Sequence, residues 1–203
     1  MIDRMELLAV IVLGFLLDQV LGDPHWLYHP VRLIGAYISF LEKGIRKIFG
    51  DRERALLAGG VVLVLFVTGT TAVVSGGILY ACGRISPGLK FLVSVILCYQ
   101  LFAVRSLKDE SMKVYRELKK DDLPAARYAV SMIVGRDTER LDMTGVTKAA
   151  VETVAENTSD GVAAPLFYMT LGGPVLGWVY KAVNTMDSMV GYKNDKYLYL
   201  GRA

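Results

Sequence analysis

This 203-residue chain has few of the residues that build metal sites or disulfide scaffolds. It contains two cysteines and two histidines, and Cys82 and Cys98 lie in or beside apolar stretches without a CxxC spacing. The cysteines are therefore typical of packing residues. The sequence also lacks a Walker A motif, a GxSxG elbow, a glycine-rich dinucleotide loop and an HExxH motif. Any use of ATP would need a different nucleotide-binding arrangement.

Charge is scarce and unevenly distributed. The net charge is only +3, which is too mild to indicate a nucleic-acid partner. Asp, Glu, Lys and Arg are absent from residues 55–83 and again from residues 161–180. A bilayer core of about 30 Å needs roughly 20 helical residues, so both stretches are long enough to cross. The sequence therefore predicts a protein of the lipid bilayer and excludes a disordered or disulfide-rich chain.

Four apolar segments predict an all-α, polytopic membrane protein with a single domain over 1–203, because lipid forces backbone hydrogen bonds to close within each segment. The first segment lacks a signal-peptide cleavage pattern and is predicted to be a retained helix. Gly172-Gly173-Pro174 interrupts the last segment, which therefore crosses as a broken helix or re-enters. The segments are about 5–21, 55–83, 87–104 and 161–180.

Two loops between these segments hold most of the basic residues. Residues 22–54 contain six Lys or Arg and residues 105–160 contain ten, together 16 of the 23 in the chain. The positive-inside rule places both loops in the cytoplasm. Apolar periodicity predicts helices in the second loop near 107–118 and over 144–157. Between them, a further helix is predicted to follow Asp122, which can cap it, and to run to Gly135.

The first polar motif is LGDPHWLYHPVRLIG, residues 21–35. His25 and His29 are four residues apart, but Pro24 and Pro30 disfavour the regular helix that would align them as metal ligands. An interfacial loop and a polar site both remain open.

Two further motifs lie in the long loop. VGRDTERLD, residues 134–142, contains Arg136 and Asp137, which can meet a phosphate or form a solvated turn. In VETVAENTSDG, residues 151–161, three carboxylates recur every fourth residue beside Asn157. Such oxygen ligands suit Mg²⁺, although a solvated acidic face has the same pattern.

The fourth motif is KAVNTMDSMVGYKND, residues 181–195. Asn184, Asp187 and Ser188 share one helix face among apolar residues. An aspartate at membrane depth is costly and therefore indicates a functional site.

In series, these motifs resemble the CbiB/CobD family of cobalamin biosynthesis proteins, adenosylcobinamide-phosphate synthase. The matching text is GDPHWLYHPVRLIG, RDTERLD, AAVETVAENTSDGVAAPLFY and YKAVNTMDSMVGYKNDKY. The resemblance covers essentially all 203 residues, and it implies that the chain corresponds to the N-terminal two-thirds of such a protein.

The resemblance further implies an enzyme of the inner cell membrane that uses ATP and Mg²⁺. It would join (R)-1-aminopropan-2-ol or its O-phosphate to adenosylcobyric acid as an amide. Other corrinoid-pathway membrane enzymes, or further copies of the chain, would be its protein partners.

Residue types then assign candidate roles within that chemistry. The catalytic candidates are His25, His29 and Asp137. The substrate- or phosphate-binding candidates are Asp23, Arg32, Arg136, Asn157, Lys181, Asn184 and Ser188. The Mg²⁺ candidates are Glu152, Glu156, Asp160 and Asp187.

Two alternatives belong to other classes of function. The AmpE-like membrane proteins, associated with β-lactamase induction, suggest a signalling role. The broken fourth segment and its embedded Asp187 suggest a transporter.

Overall fold

The computed structural model describes residues 3–24, 28–50 and 52–202. In those ranges the regular structure is helical, and no strand occurs, as the sequence predicts. The α-helices are α1 (Arg4–Leu21), α2 (Pro30–Phe49), α3 (Glu53–Ile85), α4 (Pro87–Tyr99), α5 (Val104–Lys119), α6 (Leu123–Ser131), α7 (Met143–Thr158) and α8 (Ala164–Val190). A π-helical turn, Ser159–Ala163, joins α7 to α8, and a 3₁₀ turn, Leu200–Arg202, follows α8.

The chain is a multi-pass membrane protein. Within the described ranges, three helical stretches are long and apolar enough to cross a bilayer: Glu53–Ile85, Pro87–Lys119 and Met143–Val190. The first apolar segment forms α1 but carries Arg4, Glu6 and Asp18, and it is not one of the three. Large apolar side chains such as Leu65 and Phe66 on α3 point outward, where lipid would cover them.

Two features of the fold differ from the sequence-based expectation. The third apolar segment is not continuous over 87–104, because α4 ends at Tyr99 and four irregular residues precede α5. The loop over 22–54 contains a 20-residue helix, α2, that the charge analysis overlooked. Its buried positions, Ile38, Glu42 and Ile45, follow helical spacing and pack it against α3 and α8.

The fourth segment has the predicted break. Inside α8, Gly173 has φ +66°, a left-handed conformation that glycine adopts without penalty, and Pro174 follows it without an N–H to donate. The two parts of α8 therefore meet at a kink. Crossing as a broken helix and re-entry both stay predictions for this segment.

The long loop folds as α5, α6 and α7 around a core of its own, consisting of Val114, Ala126, Val130, Val146 and Ala149. The Asp122 carboxylate accepts a hydrogen bond from the Ala125 N–H at 3.0 Å and caps α6, as predicted. The helix ends at Ser131, four residues before the predicted end, because the last residues to Gly135 turn toward α7.

Helices α1 and α4 make a close contact at Gly14. A Cβ atom at this position would lie 2.8 Å from the Cys98 Cβ and 3.0 Å from the Tyr99 backbone nitrogen. Small residues let membrane helices approach in this way. The backbone nitrogen of Tyr99 is held within α4 and cannot move aside, so the contact depends on glycine at position 14.

We expect Gly14→Val to destabilise the chain by about 1–3 kcal/mol, because it forces α1 away from α4. Gly69→Ala on α3 is the matched control, since a Cβ there meets nothing within 4 Å; it should be neutral or slightly stabilising. Thermal unfolding in detergent measures both. Equal stability of the two variants would contradict the contact.

The predicted topology requires residues 22–54 and 105–160 to share one side of the bilayer. Thiols introduced as Arg52→Cys and Lys108→Cys, both at exposed positions, should react with a membrane-impermeant maleimide in inside-out vesicles and not in intact cells. Labelling of either from outside would contradict the shared side. An Asp195→Cys thiol should label from that same side if α8 re-enters, and from the opposite side if it crosses.

Candidate functional site

The end of α1 is bonded to the start of α5 through Asp18. Its carboxylate Oδ2 accepts hydrogen bonds from the backbone N–H groups of Val104 (3.1 Å) and Arg105 (3.2 Å). Asp18 is 1% exposed, and Ala103, the residue before α5, offers no side-chain cap. A carboxylate from another helix therefore satisfies the N–H groups that a helix start leaves without partners.

Two more bonds fix the same junction. The buried Tyr99 hydroxyl donates to the Gly22 carbonyl at 2.6 Å, and the Arg105 guanidinium donates to the Gln19 carbonyl at 2.8 Å. Gly22 has φ +62° and its missing side chain leaves room for Arg105. This turn directs the chain from α1 to Asp23.

Beside this junction lies a cavity of about 490 Å³, which we call the polar cleft. Its polar side chains come from the first motif, from the α4–α5 connection, from α5 and from α8. They are Asp23, His29, Arg32, Gln100, Ser106 and Lys181. One cavity is thus lined by four of the predicted site residues, Asp23, His29, Arg32 and Lys181. The first and the last of these are more than 150 positions apart in the sequence.

His29 has two functions in this arrangement. It precedes α2, and its Nδ1 accepts a hydrogen bond from the Val31 N–H at 3.2 Å, which caps the helix. With Nδ1 engaged, the neutral ring carries its proton on Nε2. His29 is therefore better placed as a hydrogen-bond donor than as the predicted base.

Burial lowers the pKa of the His29 imidazole below its ordinary value, and the Lys181 ammonium adds to this shift. The Asp23 carboxylate and the Gln100 carbonyl oppose it. The imidazole is consequently neutral near pH 7.

The last two motifs meet at Asp160. Its Oδ2 accepts a hydrogen bond from the Asn184 side-chain amide at 3.0 Å. Asn184 and Lys181 are three residues apart on α8 and share a face, so Asp160 lies next to the wall of the polar cleft. The Gly161 carbonyl, in the π-helical turn, accepts from the Ala103 N–H at 3.2 Å, which ties this turn to the start of α5.

The RDTERLD motif lies elsewhere. Arg136 forms an ion pair with Glu152 at 2.5 Å, and the Asp137 carboxylate accepts from the Glu139 N–H within its own turn. Arg136 and Asp137 line a second cavity, of about 520 Å³, that shares no lining residue with the polar cleft. Glu152 is therefore already paired with a cation.

The remaining candidates are dispersed. Glu156, Asn157 and Ser188 are exposed; the amide of Asn157 donates to the Thr153 carbonyl, and the hydroxyl of Ser188 to the Asn184 carbonyl. Asp187 is exposed and lines a separate cavity with Arg202. His25 lies outside the described residues.

The four predicted Mg²⁺ ligands do not form one closed site. Over 3–24, 28–50 and 52–202, no group of three His, Cys, Asp or Glu side chains could hold a metal ion. Mg²⁺ needs no such cage when substrate phosphates complete its shell, since one or two carboxylates then suffice. Asp160, beside the cleft, fits that requirement, and Mg²⁺ binding by any of the four carboxylates stays a prediction.

Sequence reasoning missed Asp18, Tyr99 and Arg105, which hold the cleft in shape, and Gln100 and Ser106, which line it. The signal for Asp18 was available, because a carboxylate inside an apolar helix requires a partner. Its partner, a helix start 86 residues away, is not visible in the sequence.

We expect the stability of the chain to fall between pH 7.5 and pH 5.5. In the unfolded chain His29 titrates near its ordinary value of about 6.5, whereas the folded chain resists protonation, so acid favours unfolding. His29→Asn keeps a capping side chain but does not titrate, and its stability should fall less. Thermal unfolding at both pH values measures this, with His25→Asn as a second reference. A fall in His29→Asn as large as in the parent would contradict the pKa shift.

Comparison with known proteins gives one consistent result. The profile of the CobD/Cbib protein family matches residues 11–203. Cobalamin biosynthesis protein CobD of Listeria monocytogenes serotype 4b is 50% identical over 188 residues, which are 93% of this chain and 59% of that protein. CobD of Geobacter metallireducens is 47% identical over 96% of this chain and 60% of its own length. CbiB of Salmonella typhimurium is 45% identical over 93% and 59%.

No solved structure matches the chain. The chain spans about three fifths of the length of these relatives. Because the family profile covers nearly the whole chain and these relatives are at least 45% identical to it over most of its length, this chain belongs to the CobD/CbiB family.

Proposed function

We propose that the chain acts in cobalamin biosynthesis as part of an ATP-dependent ligase of the inner cell membrane. The reaction joins (R)-1-aminopropan-2-ol, or its O-phosphate, to a propionate of adenosylcobyric acid through an amide. The family relationship supports the pathway, because the relatives are named cobalamin biosynthesis proteins. The polar cleft supports a reaction between charged substrates.

The observation that carries the proposal is the meeting of two distant motifs at the polar cleft. Asp23, His29 and Arg32 come from the first motif, and Lys181 comes from the fourth. Two cations and one carboxylate face a cavity next to the membrane helices. Such a site suits a substrate with a carboxylate or phosphate at one end.

The cations have a clear function in such a reaction. Arg32 and Lys181 offset the negative charge of the propionate and of the phosphate that activates it, which lets two anions approach each other. This stabilisation is strongest where water is excluded, and Lys181 is only partly exposed. Arg32, more exposed, is held over the Tyr28 ring at 5.6 Å.

The chemistry has two balanced steps. The propionate oxygen attacks the γ-phosphorus of ATP, and the bond to the β-phosphate oxygen breaks to release ADP and an acyl phosphate. The amine nitrogen then attacks the acyl carbon, and inorganic phosphate leaves with the electron pair of the C–O bond. The proton lost by the amine passes to a base.

Among the described residues that line the cleft, Asp23 can accept that proton, because an ionised carboxylate has acceptor positions only. His29, which donates from Nε2, is placed to hold the developing oxyanion or a phosphate oxygen. Mg²⁺, when bound with the nucleotide, would offset phosphate charge, and Asp160 is the carboxylate beside the cleft that would hold it.

A chimera tests the proposal in a complete protein. In the Listeria monocytogenes relative, the matching segment is replaced by this chain, and membranes are supplied with adenosylcobyric acid, aminopropanol phosphate, ATP and Mg²⁺. Mass spectrometry then detects the amide product. We expect Arg32→Gln and Lys181→Met to lower the rate by about 10²–10³-fold each.

Lys108→Met is the matched control, because Lys108 is exposed on α5 and is not a lining residue of the cleft. Its rate should equal that of the unmodified chimera. Wild-type rates in Arg32→Gln and Lys181→Met would place the chemistry outside the cleft. Absence of product from a folded chimera whose parent is active would contradict the proposed reaction for this chain.

A further inference from the structure

A groove lies along α2 where this helix packs against α3. It has a volume of about 460 Å³, and its walls include Phe40, Gly44 and Ile48 from α2 and Val62 and Phe66 from α3. In the part of the chain that the structure describes, it shares no lining residue with the polar cleft. The groove is therefore separate from the site to which the ligase reaction is assigned.

The α2 side of the groove is apolar and unusually exposed. Phe40 is 71% exposed and Ile48 is 80% exposed, and both lie on the face of Gly44, four residues from each. A Cβ at Gly44 would meet nothing within 4 Å. Glycine is thus not needed here for close packing, and the space above it forms a notch between two large apolar side chains.

The groove continues onto a surface that faces lipid. Val61, Leu65 and Phe66 are more than half exposed, and all three belong to α3, one of the stretches able to cross a bilayer. An apolar chain lying in the notch would therefore remain in contact with the hydrocarbon of the membrane.

The register of α2 against α3 sets the position of the groove along the bilayer normal. A Cβ at Gly59 would meet the Ile45 side chain, and the Tyr37 hydroxyl lies 3.2 Å from the Thr70 hydroxyl, so the two helices are antiparallel. Lys43 and Lys47 consequently lie beside the first turns of α3, where the uncharged run begins after Arg54. This level corresponds to the headgroups of the bilayer.

The charge at the groove has one sign. Lys43 and Lys47 are exposed lining residues, and among residues 3–24, 28–50 and 52–202 no acidic side chain lines the groove. Between described residues, neither lysine forms an ion pair. Glu42, the acidic residue of α2, is buried and bonded instead to Arg46 at 2.9 Å and Lys196 at 3.6 Å.

We propose that this groove binds an anionic phospholipid. One acyl chain runs from the notch over Gly44 past Phe40 and Phe66 toward the hydrocarbon, and the phosphate lies between Lys43 and Lys47. The apolar walls supply the contact with the chain, and the paired lysines supply the preference for negative charge.

The test compares phosphatidylglycerol with phosphatidylcholine of the same acyl chains, added to the purified chain in detergent. Phosphatidylglycerol should bind as a one-to-one complex in native mass spectrometry and raise the unfolding temperature more than phosphatidylcholine. In Lys43→Gln/Lys47→Gln, the apparent affinity should fall by about fivefold for each lysine removed. Gly44→Leu should fill the notch and weaken both lipids.

The matched control is Lys108→Gln/Lys113→Gln, which removes two exposed lysines from α5 and should leave lipid binding unchanged. The lipid-free unfolding temperature of Gly44→Leu should not fall, since leucine favours the helix more than glycine does. Equal binding of the two lipids, an equal loss in the α5 control, or full binding by Gly44→Leu would each overturn the proposal. Detection of a dimer of the chain by native mass spectrometry, in place of a lipid-bound monomer, would also overturn the proposal.

Discussion

The fold around the site depends on one hydrogen-bonded group, the Asp18 carboxylate at the start of α5. A buried charge is costly unless it is paired or hydrogen-bonded, and here two backbone N–H groups and the Gln19 amide surround it. The start of a helix also carries partial positive charge, which favours a carboxylate. Asp18 thus joins α1 to the α5–α7 unit and gives that unit a fixed position.

The polar cleft follows from this junction. Its walls come from places where helices are interrupted, namely the turn after Gly22, the irregular residues 100–103 and, behind them, the π-helical turn Ser159–Ala163. Irregular backbone near a membrane is tolerated where protein buries it or where it lines a polar cavity. Bonds such as Ala103 to Gly161 and Tyr99 to Gly22 satisfy the interrupted backbone and bring the motifs together.

The sequence was informative where a property is local. Uncharged runs predicted α3 and the apolar part of α8, and Gly172-Gly173-Pro174 predicted the kink. The sequence was uninformative where a partner is distant. Hydropathy alone could not show that α4 ends at Tyr99, because the new helix start that follows it is capped by Asp18 of α1. Helix α2 was overlooked because its five charged residues obscured the spacing of Ile38 and Ile45. The Arg136–Glu152 ion pair joins a residue that its type had assigned to a phosphate with one assigned to Mg²⁺.

The distribution of charge explains why one cavity, and not the basic loops as a whole, suits an anionic substrate. Much of the basic excess in these loops is locally neutralised, as in Arg46 with Glu42, Arg105 with Asp109 and Arg136 with Glu152. In the polar cleft, Arg32 and Lys181 face one carboxylate, Asp23, while burial keeps His29 neutral. Among the described side chains that line the cleft, cations therefore outnumber carboxylates by two to one, while Asp160 lies next to its wall.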